Sequence, residues 1–189
     1  TIKADIGVEF RLAAIDPFGN CTNGIEHIYS HETFNGETVS KLNQWDRSHY
    51  MNIWVVNTPN SGGTVQGTLL GYATFPSGTD GSGFWTDGIV LRDYTVSGND
   101  RTLTHEAGHY LGLPHPFNGV ENIGALGECG DDGIEDTPPT QGSFSTCNLN
   151  LATCDTAVAL LPLANVQNYM DYGSCSVMFT EGQAEVMSN

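Results

Sequence analysis

Apolar and polar residues in the first hundred positions fall into two kinds of short run. Gly7-Val8-Glu9-Phe10-Arg11-Leu12-Ala13 alternates with period two, the pattern of a strand that buries one face. Tyr50 to Val56 instead groups aromatic and β-branched residues, as a buried strand does. Thr68 to Phe75 and Gly88 to Asp93 read as two more strands, and the weakly amphipathic segment 38–46 reads as a short helix. Strand, helix and strand in alternation predict an α/β N-terminal lobe. A helical pattern follows over Arg101 to Leu111, with Asn99 or Asp100 placed to cap it. Gly112 supplies a left-handed stop, and Pro114 and Pro116 prevent the helix from resuming. Residues 117–165 are rich in Gly, Asp, Pro and Cys and read as loop. Thr180-Glu181-Gly182-Gln183 has the form of a capping box opening a last short helix.

The 189 residues fit a single domain, 1–189, divided into an N-terminal subdomain 1–116 and a C-terminal subdomain 117–189. Against 22 Asp and Glu stand only 6 Lys and Arg, a formal charge of -16 that repels phosphate backbones and anionic lipid. Nucleic acid is therefore not an expected partner. No apolar run approaches the length of a membrane-spanning helix, so membrane insertion is not expected either. The acidity serves solubility, or it clusters carboxylates around divalent cations such as calcium.

Five cysteines form no Cys-x-x-Cys pair. Four of them, Cys129, Cys147, Cys154 and Cys175, lie close enough in sequence to be read as two disulfides made in an oxidising compartment, with the three pairings left open. Cys21 is then odd. The opening residues lack the basic start and apolar core of a signal peptide, which is the expectation for a secreted protein in mature or trimmed form.

Candidate chemistry concentrates in His105-Glu106-Ala107-Gly108-His109-Tyr110-Leu111-Gly112-Leu113-Pro114-His115. His105 and His109 are four apart on the predicted helix, so their imidazoles project from one face and can reach one ion. Gly112 lets the chain reverse and bring His115 back as a third nitrogen donor. Structural zinc sites are normally closed by four protein ligands, whereas three neutral ligands leave a position open. An ion held this way keeps a high charge, acidifies a bound water and polarises a carbonyl. Glu106, on the same turn, is placed to take the water's proton and pass it to a leaving amine. The competing reading is a binding module that keeps zinc only to hold its lobes together, and Glu106 argues against it. His27, His31 and His49 have no ligand-like spacing and read as ordinary surface or core histidines.

His-Glu-x-x-His-x-x-Gly-x-x-His, followed by Asn168-Tyr169-Met170-Asp171-Tyr172, resembles the metzincin clan of zinc endopeptidases, in which a methionine-containing turn lies beneath the metal. Leu70 to Pro76, Arg101 to Leu113, Gly133 to Pro138 and Gln167 to Tyr172 with Cys175 and Phe179-Thr180 narrow the resemblance to the pappalysin-like family, near its ulilysin-like and cytophagalysin members. The resemblance implies a two-lobed α+β catalytic domain and a secreted zinc-dependent endopeptidase acting on protein or peptide substrates. It implies zinc on His105, His109 and His115, Glu106 as general base and Met170 as an apolar floor. It further implies the pairings Cys129–Cys154 and Cys147–Cys175. Tyr172 matches a tyrosine that steadies the tetrahedral intermediate in some relatives, although a core tyrosine is the alternative. Relatives bind calcium in the region of Cys129 to Thr137, so Asp132 and Thr137 are candidate calcium ligands, against a solvated acidic loop. An inhibitory pro-segment, removed on maturation, and a monomeric state are also expected. Between Met170 and Cys175 the chain has only Asp171-Tyr172-Gly173-Ser174, without the extra acidic residues of relatives that prefer a basic residue after the scissile bond, so arginine selectivity is not expected.

Overall fold

The computed structural model describes residues 3–65, 67–76, 86–154 and 163–189. Its contacts divide the chain into two units, Gly7–Glu106 and Ala107–Asn189 together with Thr1–Ile6. The fold is mixed α+β.

In the first unit three strands form one sheet: β1 (Ile53–Val56), β2 (Gly71–Ala73) and β3 (Ile89–Arg92), in the order β1-β3-β2. β3 is central, parallel to β1 with Ile53 opposite Ile89, and antiparallel to β2 with Ala73 opposite Ile89. Its Ile89, Val90 and Leu91 are fully buried, which is why this strand reads as an uninterrupted apolar run. β1 differs from the sequence expectation of a strand buried throughout. Ile53 and Val55 are exposed and Val56 is buried, because β1 lies at a sheet edge and has one covered face.

Two further expectations fail in this unit. Residues 7–13 form no strand, and Val8, Phe10 and Leu12 are exposed. Alternation specifies a strand only where a partner strand satisfies its backbone, and none does so here among the described residues. Segment 38–46 holds only a 3-10 turn, Thr38–Ser40, in place of a helix. An isolated segment of that length cannot sustain helix without a wide apolar stripe. The local alternation of strand and helix is thus absent, and what remains is a small mixed sheet.

Helix α1 (Thr102–Tyr110) starts where Asp100 Oδ1 accepts the Thr102 N–H at 2.7 Å. It ends in a Schellman motif, in which the Leu113 N–H returns to the Gly108 carbonyl and the Gly112 N–H to the His109 carbonyl, both at 2.9 Å. Gly112 has φ +98°, the left-handed conformation such an ending needs.

Among its described residues the second unit has little regular structure beyond α2 (Glu181–Ser188). Its core joins Leu113, Met170, Phe179 and Met187, with Ile6, Leu111, Ile134 and Tyr169 against it. Disulfides Cys129–Cys154 and Cys147–Cys175 close loops of 25 and 28 residues. In the chain-entropy model each contributes roughly 3.5 kcal/mol, order that short secondary structure does not supply. Part of the predicted loop 117–165, residues 155–162, lies outside the described residues. Thr180 caps α2 through the Gln183 N–H, and the Gln183 side chain answers to the Thr180 N–H, so the capping box is complete. Cys21 is exposed and outside the disulfides.

Candidate metal centre

Because α1 puts residues four apart on one face, and the Schellman ending turns the chain back immediately afterwards, His105, His109 and His115 offer nitrogen atoms that all lie within 4.8 Å of one another. Nitrogens bound tetrahedrally to zinc at 2.0–2.1 Å are about 3.4 Å apart, so the three can share one ion after small adjustments. No further Cys, Asp or Glu joins the group among the described residues. His27, His31 and His49 are exposed and outside it, and His49 faces Asp46 at 3.3 Å.

The donors are set up in the form a metal needs. His109 Nδ1 lies 2.6 Å from the Leu113 carbonyl, which fixes Nδ1 as the protonated nitrogen and leaves Nε2 its lone pair. That Nε2 stands 3.0 Å from His115 Nε2. Burial holds the His109 imidazolium disfavoured, with a pKa lowered to about 4 against the opposing pull of the Leu113 carbonyl, so the ring is neutral at physiological pH. Metal ligation requires neutral imidazole. The donor set, converging and with His109 neutral and its tautomer specified, fits zinc.

Glu106 is 5% exposed and its pKa is raised to about 8 by burial alone. Gly71 of β2 lies against it: a Cβ at that glycine would stand 3.1 Å from Glu106 Cγ. A side chain at position 71 would therefore crowd Glu106 together with the Val90 carbonyl and Leu91.

Met170 is fully buried beneath α1 at Gly108, whose missing side chain leaves room for the methionine sulfur. The turn that carries it is held by Asn168, whose Oδ1 accepts the Met170 N–H at 2.9 Å and whose side chain pairs with the buried Gln183 amide of the α2 capping box. Tyr172 is 37% exposed and meets His115 edge-on, with ring centroids 4.9 Å apart. Its backbone N–H is accepted by Asp171 Oδ1, which also accepts the Ser143 N–H. Burial raises the Asp171 pKa to about 6 despite those two bonds, and its Oδ2 has no hydrogen-bond partner.

In the acidic loop, three of the four carboxylates have different partners. Asp136 accepts from the Thr180 hydroxyl at 2.6 Å and the Gly182 N–H at 3.0 Å, so it serves the N-terminus of α2. Asp131 accepts the Gly133 N–H. Asp132 Oδ1 accepts the Ile134 N–H and the Thr137 hydroxyl, while its Oδ2 is buried without a partner. Burial raises the Asp132 pKa ahead of those lowering bonds.

Sequence reading missed the Leu113 carbonyl, Asn168 and Asp171. For Leu113 a signal existed, since a glycine-ended helix returns the following residue to its last turn; for the other two there was none, because each also bonds a partner remote in sequence, Gln183 for Asn168 and Ser143 for Asp171.

Residues 33–189 match the family described as pregnancy-associated plasma protein-A. The chain belongs to this peptidase family. Extracellular metalloproteases of Colletotrichum graminicola and Arthroderma otae are similar to it, at 38% identity over 63% of the chain and 44% of that protein, and at 35% over 94% of the chain and 62% of that protein. The chain thus spans less than half the length of several relatives it matches. Mature mirolysin of Tannerella forsythia, solved with a cleaved peptide, is similar in fold with TM-score 0.74 at 31% identity, over 98% of the chain and 71% of that structure. A promirolysin variant matches with TM-score 0.73 at 31% identity, over 98% and 62%. The family's fold is thus present at 31% sequence identity to these solved structures.

Proposed function

We propose that the protein is a secreted zinc-dependent endopeptidase. The observation that carries this is the convergence of three histidines beside a buried glutamate, in a chain of a peptidase family whose similar members are named extracellular metalloproteases. His105, His109 and His115 would hold the metal, His109 with its tautomer set by Leu113. When bound, zinc supplies a Lewis acid for the scissile carbonyl and acidifies water.

Glu106 takes a proton from the attacking water and delivers it to the leaving amine. Its burial suits this, since a carboxylate poised near neutrality both accepts and gives back a proton. Tyr172, a residue more than one-third exposed, donates its hydroxyl proton in a hydrogen bond to the substrate oxygen as negative charge develops. An extended substrate adds a strand to β2, an edge strand of the sheet whose Gly71 touches Glu106. Met170 supports α1 from below.

Asp132 and Thr137 would hold calcium in the acidic loop, the unpartnered Asp132 Oδ2 being the buried oxygen the ion would satisfy. The full-length protein carries an inhibitory pro-segment, a reading supported by the existence of a promirolysin form of that relative. The mature domain acts as a monomer.

The test is Glu106→Ala. The variant is expected to bind zinc like the parent and to cleave a mixed peptide library several orders of magnitude more slowly, as loss of the general base demands. Equal internal cleavage by both proteins, read by mass spectrometry, would overturn the assignment.

A further inference from the structure

His109 is oriented by a hydrogen bond, the usual device for a ligating imidazole. The second unit shows a different device at His115. Residues 115–118 form a β-turn closed by the Asn118 N–H on the His115 carbonyl at 2.9 Å, with Pro116 at the position that favours such a turn. The turn lays the Phe117 ring flat on the His115 imidazole: the centroids are 4.7 Å apart and the planes differ by 8°. Tyr172 meets the same imidazole edge-on and contacts Phe117 at 5.2 Å.

Phe117 is itself immobilised. It is 4% exposed. Behind its ring stands Gly142, where a Cβ would come within 2.7 Å of Phe117 Cδ1 and 2.9 Å of Cγ. Gly130 presses on its main chain, so closely that any side chain there would overlap the Phe117 carbonyl. Gly130 in turn pairs with Thr140 as an antiparallel bridge. Gly142 thus leaves the room that the aromatic ring fills, Gly130 lets the main chain behind it pack closely, and the filled ring denies the His115 imidazole rotation toward that side.

We infer that Phe117 is a positioning residue for the third metal ligand, holding the His115 ring plane by stacking so that Nε2 faces His109. The inference rests on the zinc reading above. It adds a residue two places beyond the histidine motif, acting through His115 rather than on substrate. Entropy is the physical reason. An imidazole free to turn about its own bond must be ordered when the ion binds, whereas a ring already clamped between a phenyl face and a tyrosine edge has that cost met on folding.

Zinc affinity, measured by competition with a chromophoric chelator, tests this without reliance on activity. Phe117→Leu and Phe117→Met keep an apolar filling and remove the flat face; both are expected to weaken zinc about 10- to 100-fold, the range found when a ligand's support is lost. Phe117→Tyr keeps the face and is expected to stay within about threefold of the parent. Val166→Ala, a buried truncation in the same unit, is expected to lower metal-free stability while leaving zinc affinity unchanged. In the cobalt-substituted proteins the visible absorption of the Leu and Met variants is expected to differ from that of the parent, with Tyr retaining it.

If the Leu and Met variants bind zinc as tightly as the parent, or if Val166→Ala weakens zinc as much as they do, Phe117 has no positioning role. A parent chain that binds no stoichiometric zinc would instead overturn the metal-centre reading, and this inference with it.

Discussion

Gly108→Ala sets two calculable effects against each other. Alanine is favoured over glycine in a helix interior by about 1 kcal/mol, so on α1 alone the change would stabilise. At this position, however, the new Cβ would overlap the Met170 sulfur and stand 3.3 Å from both Met170 Cε and Phe179 Cε1. A methionine tail on a surface would swing away. Met170 cannot, because it is fully buried in a core with Leu113, Phe179 and Met187. Overpacking of a filled core costs roughly 1–3 kcal/mol, and overlap with a second-row atom belongs at the upper end. The expected net loss is about 1–2 kcal/mol, or about 2–8 °C in melting temperature for a chain of this length. Met170→Ala alone should cost more, about 2–5 kcal/mol, through the cavity it opens. In that background Gly108→Ala is expected to reverse sign and stabilise by about 1 kcal/mol, since the obstruction is gone and the helix preference remains. Urea unfolding of the four proteins of the cycle, all metal-free so that His109 ligation does not enter, measures the coupling. An equal cost of Gly108→Ala in both backgrounds, or a gain in the parent, would refute the packing argument.

Asp171 predicts a pH dependence. Its pKa is raised by burial to about 6, so the protonated carboxyl is favoured in the folded state. The sign follows: its contribution is fully present below the ordinary carboxyl pKa near 4 and is lost as pH rises through about 6. The loss is on the order of 3 kcal/mol by pH 7.5. Asp171→Asn, neutral throughout, should gain on the parent by that amount between pH 4 and pH 7.5 in urea unfolding; parallel profiles would disprove it. For the acidic loop, a calcium-selective chelator should lower the melting temperature of the parent and leave Asp132→Asn unmoved. At 100 times the dissociation constant the ion would contribute about 2.7 kcal/mol, or about 5–11 °C, and no shift would sink the calcium assignment.

How far the site was legible in sequence depended on the range of the interactions that make it. His105 and His109 are brought together by helical periodicity, and Gly112 announces the reversal that returns His115. The capping box at Thr180 was likewise readable, since all its partners lie within four residues. The disulfide pairings were not: four cysteines allow three arrangements, and the choice came from family resemblance. Strand β3 was visible as an apolar run, whereas the alternating stretch 7–13 was misleading, because alternation describes one face and does not supply a neighbour. Within the acidic loop, composition made four carboxylates look equivalent; Asp136 is committed to α2, 44 residues away in sequence, and no local pattern marks that.

The amino-acid sequence by itself determined the family, the three nitrogen donors and the glutamate beside them, because helix geometry and a glycine stop act over a few residues. Only the tertiary structure decided what surrounds them: Met170 filling the space at Gly108, Gly71 against Glu106, Phe117 stacked on His115 within walls of Gly142 and Gly130. Those contacts join segments distant along the chain, and burial there moves Glu106 and His109 away from their ordinary protonation. Which side chains exclude water from a group depends on packing, and packing is a property of the folded chain.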